Sequence, residues 1–179
     1  MKKSIIIAVI ALCLCLTLAF TACSVTAEDR ISQLNSAANA TKVTSTIVVT
    51  DSGVQVYSQT KVATVSGDAA TVQKTVTELG DNMQMTTQSD DYESTKAVET
   101  ALPVSLTADK IATTVLSDNG AEFLVLQQNA AEAIKANGFE VAGDVTVKCV
   151  FDGKTVVEIS FDYVTASNLS VSVSYAFSY

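Results

Sequence analysis

The fold is decided by the C-terminal segment Val145–Phe177, which reads VTVKCVFDGKTVVEISFDYVTASNLSVSVSYAF. Apolar and polar residues alternate in three runs of this segment, and successive side chains of a β-strand point to opposite faces of a sheet. Each run therefore predicts a strand with one apolar and one polar face. That pattern is typical of an antiparallel sheet that buries one side.

The turn residues Asp152-Gly153 separate the first two runs, and the length of this turn fixes the register of the two strands. A two-residue turn would place Val147 opposite Glu158, which puts a charged and an apolar side chain on the same face. A three-residue loop that includes Phe151 places Val147 opposite Val157 instead, and Val145 opposite Ile159. We therefore predict the three-residue loop.

Alternation of period two also marks the first half of the chain. It predicts five strands over Thr41–Thr50, Val54–Ser66, Ala69–Leu79, Met83–Ser89 and Tyr92–Thr100. Short groups of Gly, Asp, Asn and Ser separate these runs, among them Asp90-Asp91, and such residues favour turns. The order predicts an antiparallel meander.

Two helices are predicted from capping patterns. Thr26 followed by Asp29 is typical of a helix N-terminus, and apolar residues then recur at helical spacing. Asn129 followed by Glu132 predicts a second capping box, and the helix that it starts should end at Asn137-Gly138. The recurring apolar residues of the first helix are Ile31, Leu34 and Ala38.

The pattern of residues 101–126 is compatible with two structures. One is a hairpin of Ala112–Leu116 with Ala121–Leu126 through Asp118-Asn119-Gly120, and the other is a helix over Ala108–Leu116. With either, the sequence predicts an α+β fold, in which two or three short helices cover the apolar face of an antiparallel sheet.

The N-terminus predicts export. Lys2 and Lys3 precede an uncharged, mostly apolar run from Ile5 to Phe20, which has the layout of a secretory signal. The run is shorter than the roughly 20 apolar residues that span a bilayer. Small residues then precede Cys23.

The string LAFTAC, Leu18–Cys23, resembles the lipobox of bacterial lipoproteins. The resemblance implies a signal peptide over residues 1–22 and a single extracytoplasmic domain over residues 23–179. It also implies a lipid on Cys23 that anchors the domain to the bacterial cell membrane. Two acyl chains hold a protein stably, whereas one gives marginal binding. The alternatives are a retained N-terminal anchor and an ordinary secreted protein.

Composition excludes several partners. Loss of Lys2 and Lys3 with the signal leaves 9 of the 11 basic residues against 19 acidic ones, so the mature charge is near −10. Such a chain is repelled by nucleic acid and by anionic lipid headgroups. We therefore expect no nucleic-acid partner.

The residues that usually carry catalysis or bind cofactors are few. The chain contains no histidine, which excludes Ser-His-Asp and Cys-His arrangements and histidine-based metal sites. No acidic turn matches the EF-hand pattern for calcium. Cys149 lies on the apolar face of a predicted strand, so we expect a buried, unpaired thiol rather than a nucleophile. The sequence predicts a protein without catalytic residues, metal or cofactor.

The order of elements is similar to that of the carrier lipoproteins of the LolA, LppX and LprG kind. A cleaved lipoprotein signal, one helix, a long meander, a helix-containing insertion and final strands around Phe151-Asp152-Gly153-Lys154 carry this resemblance. It implies a curved sheet that forms a half-open barrel with a cavity for acyl chains.

Two functions remain open at this point. The first is a structural or protein-interaction module with a filled interior, and the second is a binder or carrier of lipid or another apolar ligand. In the second, the expected ligand contacts are the large side chains of the last two strands. They are Phe161, Tyr163, Val171, Val173, Tyr175 and Phe177. An enclosed apolar cavity of about 300 Å³ or more would favour the carrier.

Overall fold

A computed structural model describes residues 25–135 and 139–179 of the chain. Within these residues nine strands form one antiparallel sheet with the order β4-β3-β2-β1-β9-β8-β7-β6-β5, and the sheet is not closed. The strands are β1 (Lys42–Asp51), β2 (Val54–Ser66), β3 (Ala69–Leu79), β4 (Met85–Thr95), β5 (Ile111–Ser117), β6 (Gly120–Val125), β7 (Val145–Asp152), β8 (Thr155–Val164) and β9 (Ser170–Ser178).

The helices of the described part are short. They are α1 (Ala27–Gln33), a 3₁₀ helix that continues it (Leu34–Asn39), α2 (Lys96–Glu99) and α3 (Gln127–Ala133). The predicted antiparallel sheet with short helices is confirmed, but helices make up 16% of the described residues, so the fold is more β-rich than the predicted α+β class.

The first and last strands meet at the centre of the sheet. β1 pairs with β9 along its length, with Val43 opposite Phe177 and Ile47 opposite Val173. These two strands are far apart in sequence, whereas the strands of every other neighbouring pair are consecutive in sequence. The sheet therefore consists of two meanders, β1–β4 and β5–β9, that this central pair joins.

One face of the sheet carries the core. Alternate residues of β1 and of β6–β9 are buried there together with Leu34, Ala37 and residues of α3, and we call this the helix-covered face. The other, open face is rich in serine and threonine, such as Thr46 opposite Ser174. This matches the alternation from which the strands were predicted.

The uncertain region 101–126 contains the predicted hairpin rather than a helix. Ser117 pairs with Gly120, so the loop is Asp118-Asn119. Consecutive Asp-Asn residues tolerate the tight turn of a two-residue loop.

Three predictions about local structure are wrong. The first concerns Asp90-Asp91, which does not form a turn, because β4 runs through it as one edge strand. Both acids are exposed to water, and Asp90 lies opposite Lys74 of β3, so the charges do not interrupt the strand. The predicted strand Tyr92–Thr100 correspondingly ends at Thr95, where α2 begins.

The second concerns the capping box of α3. The helix begins at Gln127, three residues earlier than a cap at Asn129 predicts, and the backbone N–H of Gln127 donates to Oδ1 of Asp144 at 2.8 Å. Asn129 instead donates to the carbonyl of Lys110 at 3.3 Å. A distant carboxylate therefore replaces the local cap. The last helical residue is Ala133, and the predicted stop at residues 137–138 lies outside the described residues.

The third concerns the β7–β8 register. Asp152 pairs with Thr155, so the loop is the two-residue Gly153-Lys154, with Gly153 at φ +58°. Val157 is then an unpaired bulge residue between the pairs Phe151–Val156 and Val150–Glu158. Val147 consequently lies opposite Phe161 rather than Val157.

The bulge keeps the charged Glu158 out of the apolar face, although the loop has only two residues. It rotates Val157 out of the alternation, so that Val156 is buried while Ile159 and the residues after it keep their apolar face. Because Glu158 then faces the exposed Val150 on the open face, a two-residue loop leaves no charge in the core.

Candidate functional site: a groove beside the first helix

The residues predicted as ligand contacts lie in the packed core. Phe161, Tyr163, Val171, Val173 and Phe177 are at most 5% exposed, and Tyr175 packs against them half-buried. Along their strands the aromatic rings stack, with centroids 6.3 Å apart for Phe161 and Tyr163. Burial raises the pKa of Tyr163 to about 12. None of these six side chains lines the surface concavities described below.

The largest of these concavities is an open groove of about 890 Å³ beside α1, which we call the α1 groove. One wall is α1 with the 3₁₀ helix, and the other is the segment from α2 to residue 108. The groove is lined by Glu28, Ile31, Ser32, Leu34, Asn35, Ala38, Ala97, Thr100, Ala101, Leu102, Val104, Ser105, Leu106, Thr107, Ala108 and Lys135.

The first wall begins with the predicted capping box. Thr26 Oγ1 accepts from the backbone N–H of Asp29 at 3.1 Å, and the Asp29 carboxylate accepts from the backbone N–H of Thr26 at 2.9 Å. The hydroxyl of Thr26 also donates to this carboxylate at 2.8 Å, and the two hydrogen bonds that the carboxylate accepts from Thr26 hold the pKa of Asp29 below its usual value. The predicted start of the helix is therefore confirmed.

The apolar residues of this helix contact both the core and the groove. Leu34 is buried in the core and also borders the groove, while Ile31 and Ala38 face the groove itself. Residues three and seven positions apart share a helix face. The periodicity that predicted a core-facing helix therefore also describes a groove wall.

Arg30 fixes the position of α1 on the sheet. Although charged, it is 2% exposed, and its guanidinium donates to the carbonyls of Asp118 at 2.6 Å and Gly153 at 3.3 Å. It also lies 4.5 Å from the ring centroid of Phe151 and donates to Gln33. Arg30 therefore ties α1 to the loops of two hairpins, β5–β6 and β7–β8.

The second wall is extended backbone held by α3. The N–H of Ser105 donates to the carbonyl of Ala133 at 2.7 Å, and the N–H of Lys135 donates to the carbonyl of Pro103 at 2.9 Å. Val104, which is 2% exposed, forms an isolated bridge with Ile134. This segment is thus fixed by backbone hydrogen bonds although it belongs to no sheet.

An ion pair fixes α2 at one end of that wall. Glu99, whose side chain is 2% exposed, contacts Lys61 of β2 at 2.8 Å and accepts from Ser94 Oγ at 2.8 Å. Burial lowers the pKa of Lys61, but the hydrogen bond and charge of Glu99 outweigh it, so that the net pKa is raised. The pair holds the turn that presents Ala97 and Ala101 to the groove.

The chemistry of the groove is suited to binding. Its lining is mostly alanine, leucine, isoleucine and valine, and its charged residues are Glu28 on one wall and Lys135 near the other. Among residues 25–135 and 139–179 there is no group of three or more acidic or cysteine side chains that is placed to hold a metal ion. This surface offers apolar area interspersed with polar side chains.

Cys149 has the environment that was predicted. It is 2% exposed and unpaired, and burial raises the pKa of its thiol to about 12. A thiol that stays protonated is a poor nucleophile. Cys23, the predicted lipid site, lies outside the described residues.

Comparisons with known proteins add no relative. No family model matches the chain, and a search of curated proteins found no match. In the part of the chain that the structure describes, no helix has the length and apolarity needed to cross a membrane.

Sequence reasoning missed the residues that shape the groove. Arg30 is the one arginine of the chain and lies inside the predicted first helix. An arginine side chain carries five hydrogen-bond donors in one plane and can therefore bind several carbonyls at once. A single arginine within a predicted helix was thus a signal that Arg30 has a structural role. No comparable signal marked Glu99, since its burial depends on Lys61, 38 positions earlier.

Proposed function

We propose that the mature chain is a non-catalytic protein-interaction module, tethered by a lipid on Cys23 to the extracytoplasmic face of a bacterial cell membrane. The observation that supports this most is the location of free volume. Large side chains fill the helix-covered face of the sheet, and the principal concavity is open to the surface. We therefore expect a partner to bind at the surface of this domain rather than inside it.

The α1 groove lies close to the proposed anchor. Glu28, on its wall, is five residues after Cys23. A fully extended chain spans at most about 3.6 Å per residue, so the groove wall lies within about 18 Å of the lipid-bearing residue. A partner in the groove would therefore be engaged near the membrane surface.

The second candidate, binding of lipid or another apolar ligand, is favoured by the apolar lining of the same groove. Its volume of about 890 Å³ lies within the range of small-molecule sites. This differs from a LolA-type carrier, in which a half-open barrel encloses the ligand. The half-open barrel, and ligand contact by Phe161 and its neighbours, stay predictions from sequence.

Photo-crosslinking in intact cells tests the two functions together. A photoreactive residue at Ala101, which is exposed in the groove, is compared with one at Thr60, which is exposed on the open face. The interaction module predicts a discrete protein adduct at Ala101, its absence at Thr60 and its loss in Cys23→Ala. Adducts at Ala101 that consist of lipid, together with lipid on the purified domain, would favour the carrier. Equal labelling at both positions would contradict both functions.

A further inference from the structure

The two edges of the sheet differ in charge. β4 carries Asp90, Asp91 and Glu93, whereas β5, the opposite edge, carries no charged residue between Ile111 and Ser117. Charges on an edge strand prevent other chains from pairing with it. β4 is protected in this way and β5 is not.

β5 also exposes apolar side chains on both faces of the sheet. Val115 is 60% exposed on the open face, where it lies opposite Glu122. Leu116 is 40% exposed and lies opposite the buried Ala121 on the helix-covered face. A strand placed beside β5 would cover both.

Opposite charges flank β5 symmetrically. Lys110 precedes Thr114 by four residues and Asp118 follows it by four. We propose that β5 pairs antiparallel with β5 of a second copy of this chain, about a two-fold axis at Thr114. Lys110 of each copy then faces Asp118 of the other. Parallel pairing would instead place like charges together.

The side chains fit this register. Leu116 lies opposite Ala112 of the second copy, beside a cleft of about 210 Å³ that Ile31, Ala108 and Ala112 help to line. On the open face, Val115 lies opposite Thr113. Each exposed apolar side chain thus meets a small or β-branched one.

The backbone fits as well. In a two-residue hairpin the pair that flanks the loop, here Ser117 and Gly120, is hydrogen-bonded, and bonded residues alternate along an antiparallel strand. The N–H and C=O groups of Thr114 and Leu116 therefore point to the free edge. The bulge at Ala112 lies at the end of the paired segment, opposite Leu116 of the second copy, so the regular hydrogen-bonded part is Thr113–Val115 and the long side chain of Lys110 spans the bulge.

The symmetry suits a tethered protein. A two-fold axis perpendicular to the sheet keeps both α1 helices on the same side of the joined sheet. Both copies could then be anchored in one membrane. The pairing does not depend on the proposed function of the α1 groove.

Disulfide trapping of the full lipoprotein in its own membrane tests the pairing. Thr114→Cys places two thiols at the axis, where residues of a hydrogen-bonded pair have Cα atoms about 5.5 Å apart, within the range that a disulfide spans. Gln88→Cys, an exposed position within the β4 edge strand, is the matched control. We expect a disulfide-linked dimer with Thr114→Cys and not with Gln88→Cys. Equal yields from the two variants would overturn the proposal.

Charge exchange tests the register. In the Thr114→Cys background, Lys110→Asp or Asp118→Lys creates two like-charge contacts, which should weaken pairing roughly tenfold. The double charge variant in the same background should restore the yield of Thr114→Cys alone. Lys110 contacts Glu132 at 3.3 Å and its side chain is 21% exposed, so on pairing it turns from Glu132 toward Asp118 of the second copy. Because Glu132 is 76% exposed, loss of that contact costs little. Thermal unfolding shows whether each variant is folded, and a folded double variant that fails to recover would contradict this register.

Discussion

Removing Lys61 and removing Glu99 from their ion pair should lower the stability of the domain by different amounts. In Lys61→Met the carboxylate of Glu99 stays buried, with its side chain 2% exposed, and loses its counter-charge. Removing one partner of a buried pair costs about 3–5 kcal/mol. Because a quarter of the Lys61 side chain is exposed, water can partly replace it, and we expect the lower limit, about 3 kcal/mol.

The reverse substitution should cost less. In Glu99→Gln the new amide can still accept from Ser94, and the ammonium of Lys61 can turn toward water. We expect a loss of about 1 kcal/mol, the value of an ordinary hydrogen bond. Lys61→Met combined with Glu99→Met should be more stable than Lys61→Met alone, because it leaves no uncompensated charge.

Urea unfolding at pH 7 measures these differences, and thermal unfolding should show a decrease of about 6–12 °C for Lys61→Met. The reasoning is refuted if Lys61→Met unfolds within about 0.5 kcal/mol of the wild type, or if Glu99→Gln costs more than Lys61→Met. The pKa of Lys61 is raised in the folded state, so the contribution of the pair is complete at neutral pH. It is lost as the pH rises through the folded-state pKa, above about 10.5. The wild type and Lys61→Met should therefore converge in stability there.

Three further predictions concern the core and the anchor of α1. In a form of the domain that starts at Ser24, Cys149 is the one thiol. Because Cys149 is buried, a thiol reagent should label the folded domain slower by orders of magnitude than the urea-unfolded chain. Equal labelling rates would contradict this prediction. Val173→Trp should destabilise the domain by about 1–3 kcal/mol in urea unfolding, because its site is filled; an unchanged midpoint would instead indicate a cavity. Arg30→Lys keeps the charge, but a lysine cannot reach the carbonyls of both Asp118 and Gly153. This variant should lower the free energy of unfolding by about 2 kcal/mol. As a control, Lys154→Ala at an exposed position should lower it by less than about 0.5 kcal/mol.

The sheet could be predicted where local chemistry determines it. β1, β2 and β3 follow from period-two alternation between turn residues, and their predicted ranges agree with the structure within a residue. The capping box at Thr26 is also local, since its partners are three residues apart. Strand order was not predictable in the same way, because β1 meets β9 through contacts between distant parts of the chain.

The errors arose where distant residues decide local structure. The bulge at Val157 depends on which face of β7 is buried, and the start of α3 depends on Asp144, 17 residues after Gln127. The α1 groove could not be predicted either, because its second wall is irregular backbone held by α3. Of its residues, only those on the first helix had a periodicity that could be detected.

The central position of the β1–β9 pair has a consequence for how the chain folds. Within each meander, strands that pair are neighbours in sequence, so those contacts close short loops. Ile47 and Val173, in contrast, are 126 positions apart, and loops of that length close slowly. β1 is the first strand of the chain, but its partner β9 follows all the other strands. The N-terminal meander therefore keeps one edge of β1 unpaired until β9 docks beside it, and loss of β9 should leave two half-sheets that cannot join.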